Sequence, residues 1–182
     1  MPIPYHVAQR RGARPAQEDT WCVASLPGWF IGAVFDGHGG AATAEYAARV
    51  LPRKIEQKIQ RFSPAQALRE AFAETSGEVE RQTDDGAAAL AVAVGQGRIT
   101  WANAGDCRLL LVTADGYTQL SADHRLDNPN ERQRIENIGR GEIRDPYLYV
   151  GPYGLMVTRT LGDRLFEPAG VTATPEVGER LR

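Results

Sequence analysis

The residues with the clearest capacity for chemistry are Asp36 and His38, in the stretch D-G-H-G-G at 36–40. An apolar run at 29–35 precedes this stretch and predicts a buried strand, and an alanine-rich helical pattern follows it. A carboxylate at the end of a buried strand can leave the core and hold a hard cation. An imidazole beside it titrates near neutral pH. The alternative is an ordinary strand-to-helix turn, because Asp-Gly is common in turns.

Six further polar blocks accompany this stretch. They are R-P-A-Q-E-D at 14–19, A-N-A-G-D-C-R at 102–108, L-S-A-D-H at 120–124, E-R-Q-R-I at 131–135, T-R-T-L-G-D at 158–163 and T-P-E-V at 174–177. In this order and at these spacings, the set resembles the protein phosphatase 2C family of metal-dependent serine/threonine phosphatases. The resemblance runs from about residue 11 to residue 177. It implies an α+β fold, in which an antiparallel β-sandwich is flanked by α-helices.

The resemblance also implies a role for individual residues. Asp36 would bridge two divalent ions, Mn²⁺ or Mg²⁺, with Glu18 and the Gly37 carbonyl as further metal ligands. Arg14 would bind the phosphate oxygens, and His38 would protonate the leaving group. The catalytic set is then Arg14, Asp36 and His38. A metal-activated water would hydrolyse a phosphate monoester on a phosphorylated protein or on a small molecule.

Each of these assignments has a plainer alternative. Arg14 and Glu18 could form a solvated ion pair, and His38 could only cap the helix that follows it. Asp19 is assigned by the resemblance to the surroundings of the metal, where it would orient water or Glu18.

Other acidic residues belong to the same blocks. Asp106 and the pair at 123–124 are interpreted as braces of the sheet and its turns rather than as metal ligands. Asp163 could serve either purpose. The acidic pair at 84–85 precedes G-A-A-A at 86–89, where the family usually has G-S-T-A or G-T-T-A. Its assignment to a third, weaker metal site is therefore left open.

The sequence departs from the family after P-E-V. Family members continue with D-G-(I/L)-W-(D/E) and a later D-N pair, whose aspartates complete the second metal site, and neither block occurs before Arg182. One ion could still be held, and Asp163, Glu142, Asp145 or a partner's carboxylate could replace the lost ligands. Without the strands of the missing segment, an unpaired sheet edge is expected. This predicts a homo-oligomer joined through that edge.

Two functions from different classes follow. The first is a metal-dependent phosphoprotein phosphatase-like hydrolase. The alternative is a catalytically inactive phosphatase-like module that binds phosphorylated partners, or an incomplete fragment of a longer phosphatase. Metal-dependent turnover that is lost on Asp36→Asn distinguishes them.

The composition limits the remaining classes. A length of 182 residues with 42% hydrophobic residues predicts a single domain over 1–182. A net charge of −2 argues against nucleic-acid or membrane-surface binding. The chain has no long apolar segment and no signal-peptide pattern, which favours the cytoplasm. Cys22 and Cys107 lie in apolar runs and are predicted to be buried, reduced thiols.

Periodicity and turn residues predict the elements that must position this chemistry. The expected elements are an opening strand and a second strand joined by a loop within 7–24, a strand at 29–35, helices at 41–60, 63–82 and 128–137, three consecutive antiparallel strands at 87–94, 98–102 and 108–112, and a loop at 140–153 that could cover the site.

Overall fold

The computed structural model describes residues 3–181. Within this range there are three α-helices, α1 (Ala42–Ile59), α2 (Pro64–Val79) and α3 (Pro129–Ile138), and one 3₁₀ helix at Arg164–Ala169. The strands are β1 (Thr20–Leu26), β2 (Trp29–His38), β3 (Gly86–Gly95), β4 (Arg98–Ala104), β5 (Leu110–Thr113), β6 (Gly116–Gln119), β7 (Glu142–Arg144), β8 (Tyr147–Val150), β9 (Tyr153–Leu155), β10 (Leu161–Gly162) and β11 (Glu176–Leu181). Over the same residues, no helix is both long and apolar enough to cross a membrane.

The largest sheet is antiparallel, with the strand order β1-β2-β3-β4-β11. β2 and β3 pair along their whole length, so that His38 lies opposite Gly86. Beyond the end of β4, the short strand β10 pairs with the start of β3, and Gly162 lies on the other side of Gly86. The ends of β2, β3 and β10 therefore meet at one corner. Antiparallel sheets with helices confirm the expected α+β fold.

The helices α1 and α2 cover one face of this sheet. Because side chains alternate along a strand, every second residue of β2 and β3 faces the helices. These residues are buried: Trp29, Ile31, Ala33, Phe35, Ala87, Ala89, Ala91 and Ala93. The alanines of β3 let the helices approach the sheet closely, and each large apolar side chain buried there contributes about 1.5–3 kcal/mol. On the opposite face, Val34 is 45% exposed.

The three predicted helices are confirmed, with ends shifted by a few residues at most. Ser63 Oγ accepts a hydrogen bond from the Gln66 amide at 3.3 Å, and Asn128 Oδ1 accepts one from the Asn130 amide at 3.1 Å. These two side chains satisfy amides that have no partner within the helix. Pro52 lies inside α1 without dividing it.

Two strand predictions are wrong. Residues 3–19 form no strand, and the first strand begins at Thr20. The early segment has few apolar residues, and its Tyr5 ring lies 5.7 Å from that of Phe30 instead. β5 pairs with β6 as a hairpin and not with β4, because β11 occupies the free edge of β4.

The segment at 140–153 is not the loop that was expected. It forms the antiparallel sheet β7-β8-β9. Leu148 of β8 and Leu155 of β9 pack with Ile135 of α3 and Phe166 of the 3₁₀ helix in a second hydrophobic cluster. This small sheet is therefore anchored on α3 and the 3₁₀ helix.

Candidate functional site

Asp36 and His38 lie within β2, which extends three residues further than predicted. Two residues apart, they share the face of the sheet opposite α1 and α2. Gly37 lies between them and is buried. A Cβ at this position would overlap the backbone carbonyl of Glu18, so only glycine allows the two segments to approach this closely.

The three residues of the predicted catalytic set come together in space. Arg14, Asp36 and His38 line one open cavity of about 1040 Å³. Arg14 reaches it from the irregular segment before β1, and the other two from the end of β2. A largely apolar set of lining residues comes from the small sheet, the residue after it and the 3₁₀ helix: Tyr147, Tyr153, Leu155, Met156, Leu165 and Phe166.

Only one of the predicted metal ligands lines the cavity. Asp36 faces the cavity, whereas the half-buried Glu18 and the buried Gly37 do not line it. Glu18 meets Gly37 through its backbone carbonyl. Among residues 3–181, no group of three or more His, Cys, Asp or Glu side chains is close enough together to hold a metal ion.

The electrostatics around Asp36 nevertheless suit a cation. Partial desolvation, together with the nearby charges of Asp19 and Asp106, raises the pKa of Asp36 above its usual range, and the charge of His38 opposes this only in part. Repulsion between carboxylates raises the pKa whenever no cation balances them. Carboxylate oxygens are also the ligands that Mg²⁺ and Mn²⁺ prefer. The chemical type of these residues therefore suits a divalent cation.

His38 is also shifted by its surroundings. Burial disfavours the charged ring, but the hydrogen bond and charge of Asp163, with the charges of Asp36 and Asp106, raise the pKa of His38 above its ordinary value. Nε2 of His38 lies 2.6 Å from Oδ2 of Asp163. The sequence left Asp163 open between two purposes, and no local pattern could pair residues 125 positions apart.

The residues interpreted as braces do hold the turns together. Asp106 accepts hydrogen bonds from two guanidinium nitrogens of Arg125, and Asp123 accepts from Arg108. The buried ring of His124 accepts a hydrogen bond from the Gly105 amide through Nδ1 at 3.2 Å. Asp106 also lines the cavity, so it contributes negative charge there as well.

The pair at 84–85 divides into two different positions. Asp85 accepts hydrogen bonds from the amides of Ala42 and Thr43 and from the hydroxyls of Thr43 and Thr83. Although burial opposes ionisation, these bonds lower the pKa of Asp85. Its carboxylate therefore caps the start of α1, while Asp84 is exposed at the cavity wall.

Two of the suggested replacement ligands are elsewhere. Glu142 pairs with Arg144 and Asp145 pairs with Arg132, and neither acid lines the cavity. Both lie on the exposed side of the small sheet, where a charged pair can form in water. Their positions give no support to a role as replacement metal ligands.

The cysteines take no part in this chemistry. Cys22 and Cys107 are free and half-buried, and burial raises the pKa of each thiol to about 12. The charges of Asp36 and Asp106 act in the same direction on Cys107. A thiol that stays protonated at neutral pH is a poor nucleophile.

Comparison with known proteins gives a consistent result. The family model described as Protein phosphatase 2C matches residues 10–181. A protein kinase and PP2C-like domain-containing protein of Oryza sativa subsp. japonica is 34% identical over 165 residues, which cover 81% of this chain and 25% of that protein. The probable protein phosphatase 1N of Mus musculus is 33% identical over 197 residues, covering 94% of this chain and 47% of that protein.

A solved structure shares the fold. The serine-threonine phosphatase 2C from Toxoplasma gondii superposes with a TM-score of 0.80 at 18% identity, over 94% of this chain and 71% of that one. The chain spans between a quarter and about half of the length of the curated relatives it matches.

Proposed function

This chain belongs to the protein phosphatase 2C family, and from that premise we propose that it hydrolyses phosphate monoesters, either on phosphoserine or phosphothreonine residues of proteins or on small molecules. The observation that carries the proposal is that Arg14, Asp36 and His38 line a single open cavity. This reaction needs a guanidinium to bind the phosphate, a carboxylate to hold a cation and an imidazole to donate a proton.

Each of the chain's own side chains has a defined task. The planar guanidinium of Arg14 binds two phosphate oxygens and holds the substrate in register. His38, whose pKa is raised by Asp163 despite burial, carries a proton that it gives to the leaving oxygen. The apolar wall holds the rest of the substrate, which is why an aromatic phosphate ester is a suitable first probe.

The proposal includes a divalent cation, Mn²⁺ or Mg²⁺, at Asp36. When bound, the cation neutralises charge on the phosphate and makes water a better nucleophile at neutral pH. The charges of Asp19 and Asp106 beside Asp36 support this assignment. Glu18, whose backbone carbonyl lies against Gly37, and the Gly37 carbonyl are the proposed further ligands.

The test is hydrolysis of p-nitrophenyl phosphate with and without Mn²⁺. Wild type, Asp36→Asn and Asp115→Asn are assayed together, because Asp115 begins another Asp-Gly of the chain, in the exposed turn between β5 and β6. We expect Mn²⁺-dependent turnover that Asp36→Asn lowers by at least about 100-fold, while Asp115→Asn matches wild type.

A different result would favour the other function. No turnover in any variant, with phosphopeptide binding retained, would support a phosphatase-like binding module. Turnover that is equal in wild type and Asp36→Asn would reject the proposed site.

Self-association through the sheet edge is a further proposal. Trp21 on the edge strand β1 is 40% exposed and lies directly opposite Val34, which is 45% exposed. An apolar patch on an edge strand favours pairing with another copy. Light scattering at micromolar concentration tests this, and a clean monomer would reject it.

A further inference from the structure

The contact between His38 and Asp163 has features that an ordinary surface ion pair lacks. The Asp163 side chain is only 8% exposed. Among residues 3–181, His38 is the only side chain that hydrogen-bonds this carboxylate. A buried carboxylate is costly unless it has a partner, so the contact is specific.

The backbone supports the same contact at some cost. Asp163 has φ +55°, in the left-handed region that residues other than glycine seldom adopt. Such a conformation is strained and persists only where the surroundings impose it. The Gly162 amide donates to Ser76 Oγ at 3.3 Å, and the Asp163 amide donates to the Asp85 carbonyl at 3.4 Å. These two bonds hold the turn that aims Asp163 at His38.

The strand between the two residues leaves room for them. Gly86 of β3 is flanked by His38 of β2 and Gly162 of β10. A Cβ on Gly86 would overlap the Asp163 carboxylate and lie 2.5 Å from Nε2 of His38. The pair therefore occupies a notch that only glycine provides.

We propose that Asp163 is a positioning residue, which holds the His38 ring through Nε2 so that Nδ1 faces the leaving group. Nδ1 has no hydrogen-bond partner in the described part of the chain. This inference rests on the proposed function, in which His38 is the proton donor. The oxygen of water bonds to phosphorus, the ester P–O bond breaks, and its electron pair stays on the leaving oxygen. That oxygen takes the proton from Nδ1, the attacking water releases one to solvent, and solvent reprotonates His38.

The first test compares leaving groups. Asp163→Asn keeps the side-chain shape, and Asn tolerates the left-handed backbone. We expect kcat for phenyl phosphate to fall about 100-fold, as for loss of a general acid, with little change in KM. For 2,4-dinitrophenyl phosphate, whose leaving group needs no proton, we expect less than about a threefold fall. The matched control Asp84→Asn removes a charge from the same cavity without touching His38, and should leave the ratio of the two substrates unchanged.

The second test asks whether Asp163 acts through His38. His38→Gln should show the same dependence on leaving group. The double variant Asp163→Asn with His38→Gln should be no slower than His38→Gln alone, because residues that act as one unit are not additive. Additive losses, or a fall of equal size for both substrates in Asp163→Asn, would overturn the proposal.

The third test does not need turnover. The chain has only three histidines, so the ring nitrogens of His38 can be assigned by nitrogen-15 NMR without added metal. In wild type, we expect a proton on Nε2 with the shift of a strong hydrogen bond, and Asp163→Asn should change it. Gly86→Ala, which would force the pair apart, should change it in the same way.

The outcomes distinguish failure of the positioning role of Asp163 from failure of the proposed function. An unchanged His38 spectrum in Asp163→Asn would overturn the positioning role whatever the activity. Absence of turnover in wild type with p-nitrophenyl phosphate and Mn²⁺ would instead reject the proposed function, and the positioning role in catalysis with it, while the NMR result would still report the pair.

Discussion

The carboxylate of Glu131 and that of Asp36 lie in opposite electrostatic settings. Glu131, on α3, is 2% exposed and accepts hydrogen bonds from Arg134 and Arg159 at 2.6 Å each and from Thr158 at 2.7 Å. Although burial opposes its charged form, these partners lower the pKa of Glu131 to about 2. Every oxygen of this carboxylate is satisfied within the protein.

Among residues 3–181, no cationic side chain is bound to the carboxylate of Asp36. Partial desolvation and the charges of Asp19 and Asp106 raise its pKa. The difference separates acids that hold the fold together from acids that are free to bind something else. A carboxylate whose charge is already balanced contributes stability, whereas one with unbalanced charge costs stability and is available to a cation.

The largest effect on stability should come from the balanced group. Glu131→Gln leaves two guanidinium groups without their buried counter-charge, and we expect it to lower the free energy of unfolding by about 3 kcal/mol or more. Urea unfolding followed by circular dichroism measures this. Glu136→Gln on the same helix, where the acid is 54% exposed and pairs with Arg132, should cost less than about 0.5 kcal/mol. Equal losses of stability in the two variants would mean that the buried pairing of Glu131 contributes no more than an exposed ion pair.

The lowered pKa of Glu131 also predicts how the stability of the protein depends on pH. The pKa of Glu131 lies below its ordinary value, so its contribution is present above about pH 4.5 and is lost as the pH falls toward 2. The difference in stability between wild type and Glu131→Gln should therefore shrink over that window, by roughly 3 kcal/mol in total. Unfolding curves of both proteins from pH 7 to pH 2.5 test this. A difference that stays constant would mean that the pKa of Glu131 is the same in the folded and unfolded states.

A smaller effect is expected at Asp85. α1 begins after Ala41, whose side chain provides no cap, and Asp85 supplies one from 43 residues away in sequence. Asp85→Ala should lower the free energy of unfolding by about 1–2 kcal/mol. The neighbouring Asp84→Ala, which removes an exposed acid, should stay within about 0.5 kcal/mol of wild type. If the two variants behave alike, the cap contributes nothing measurable.

Sequence patterns were sufficient where the relevant residues are neighbours along the chain. The block at 36–40 and the helix caps at Ser63 and Asn128 depend on spacing of a few residues, and each lies where its local chemistry places it. That Arg14 and Asp36 line the same cavity was predictable only from resemblance to a family, since no local rule brings the two together.

What the sequence did not reveal depends on long-range partners. The sequence pairs Asp85 with Asp84 as a candidate for a weak metal site, yet Asp85 caps a helix that begins far upstream. The sequence does not assign Asp163 to one role, because its partner His38 is 125 residues away. The pairing of β5 was predicted wrongly for the same reason, because the competing strand β11 comes from the last residues described.

The smallest effect should have the opposite sign. Because the pKa of Asp36 is raised, the folded state prefers the neutral form, and the ionised form costs stability above that pKa. Asp36→Asn should therefore be slightly more stable than wild type at pH 7 without metal, by less than about 1 kcal/mol for so exposed a group. The gain should vanish in acid, where wild type is also protonated.

Saturating Mn²⁺ should reverse this order, because it stabilises only the protein that binds it. Thermal unfolding of both proteins with Mn²⁺ and with a chelator measures the reversal. If Asp36→Asn is instead destabilised as strongly as Glu131→Gln, Asp36 is a structural acid like Glu131. The proposed difference in role between the two carboxylates would then be wrong.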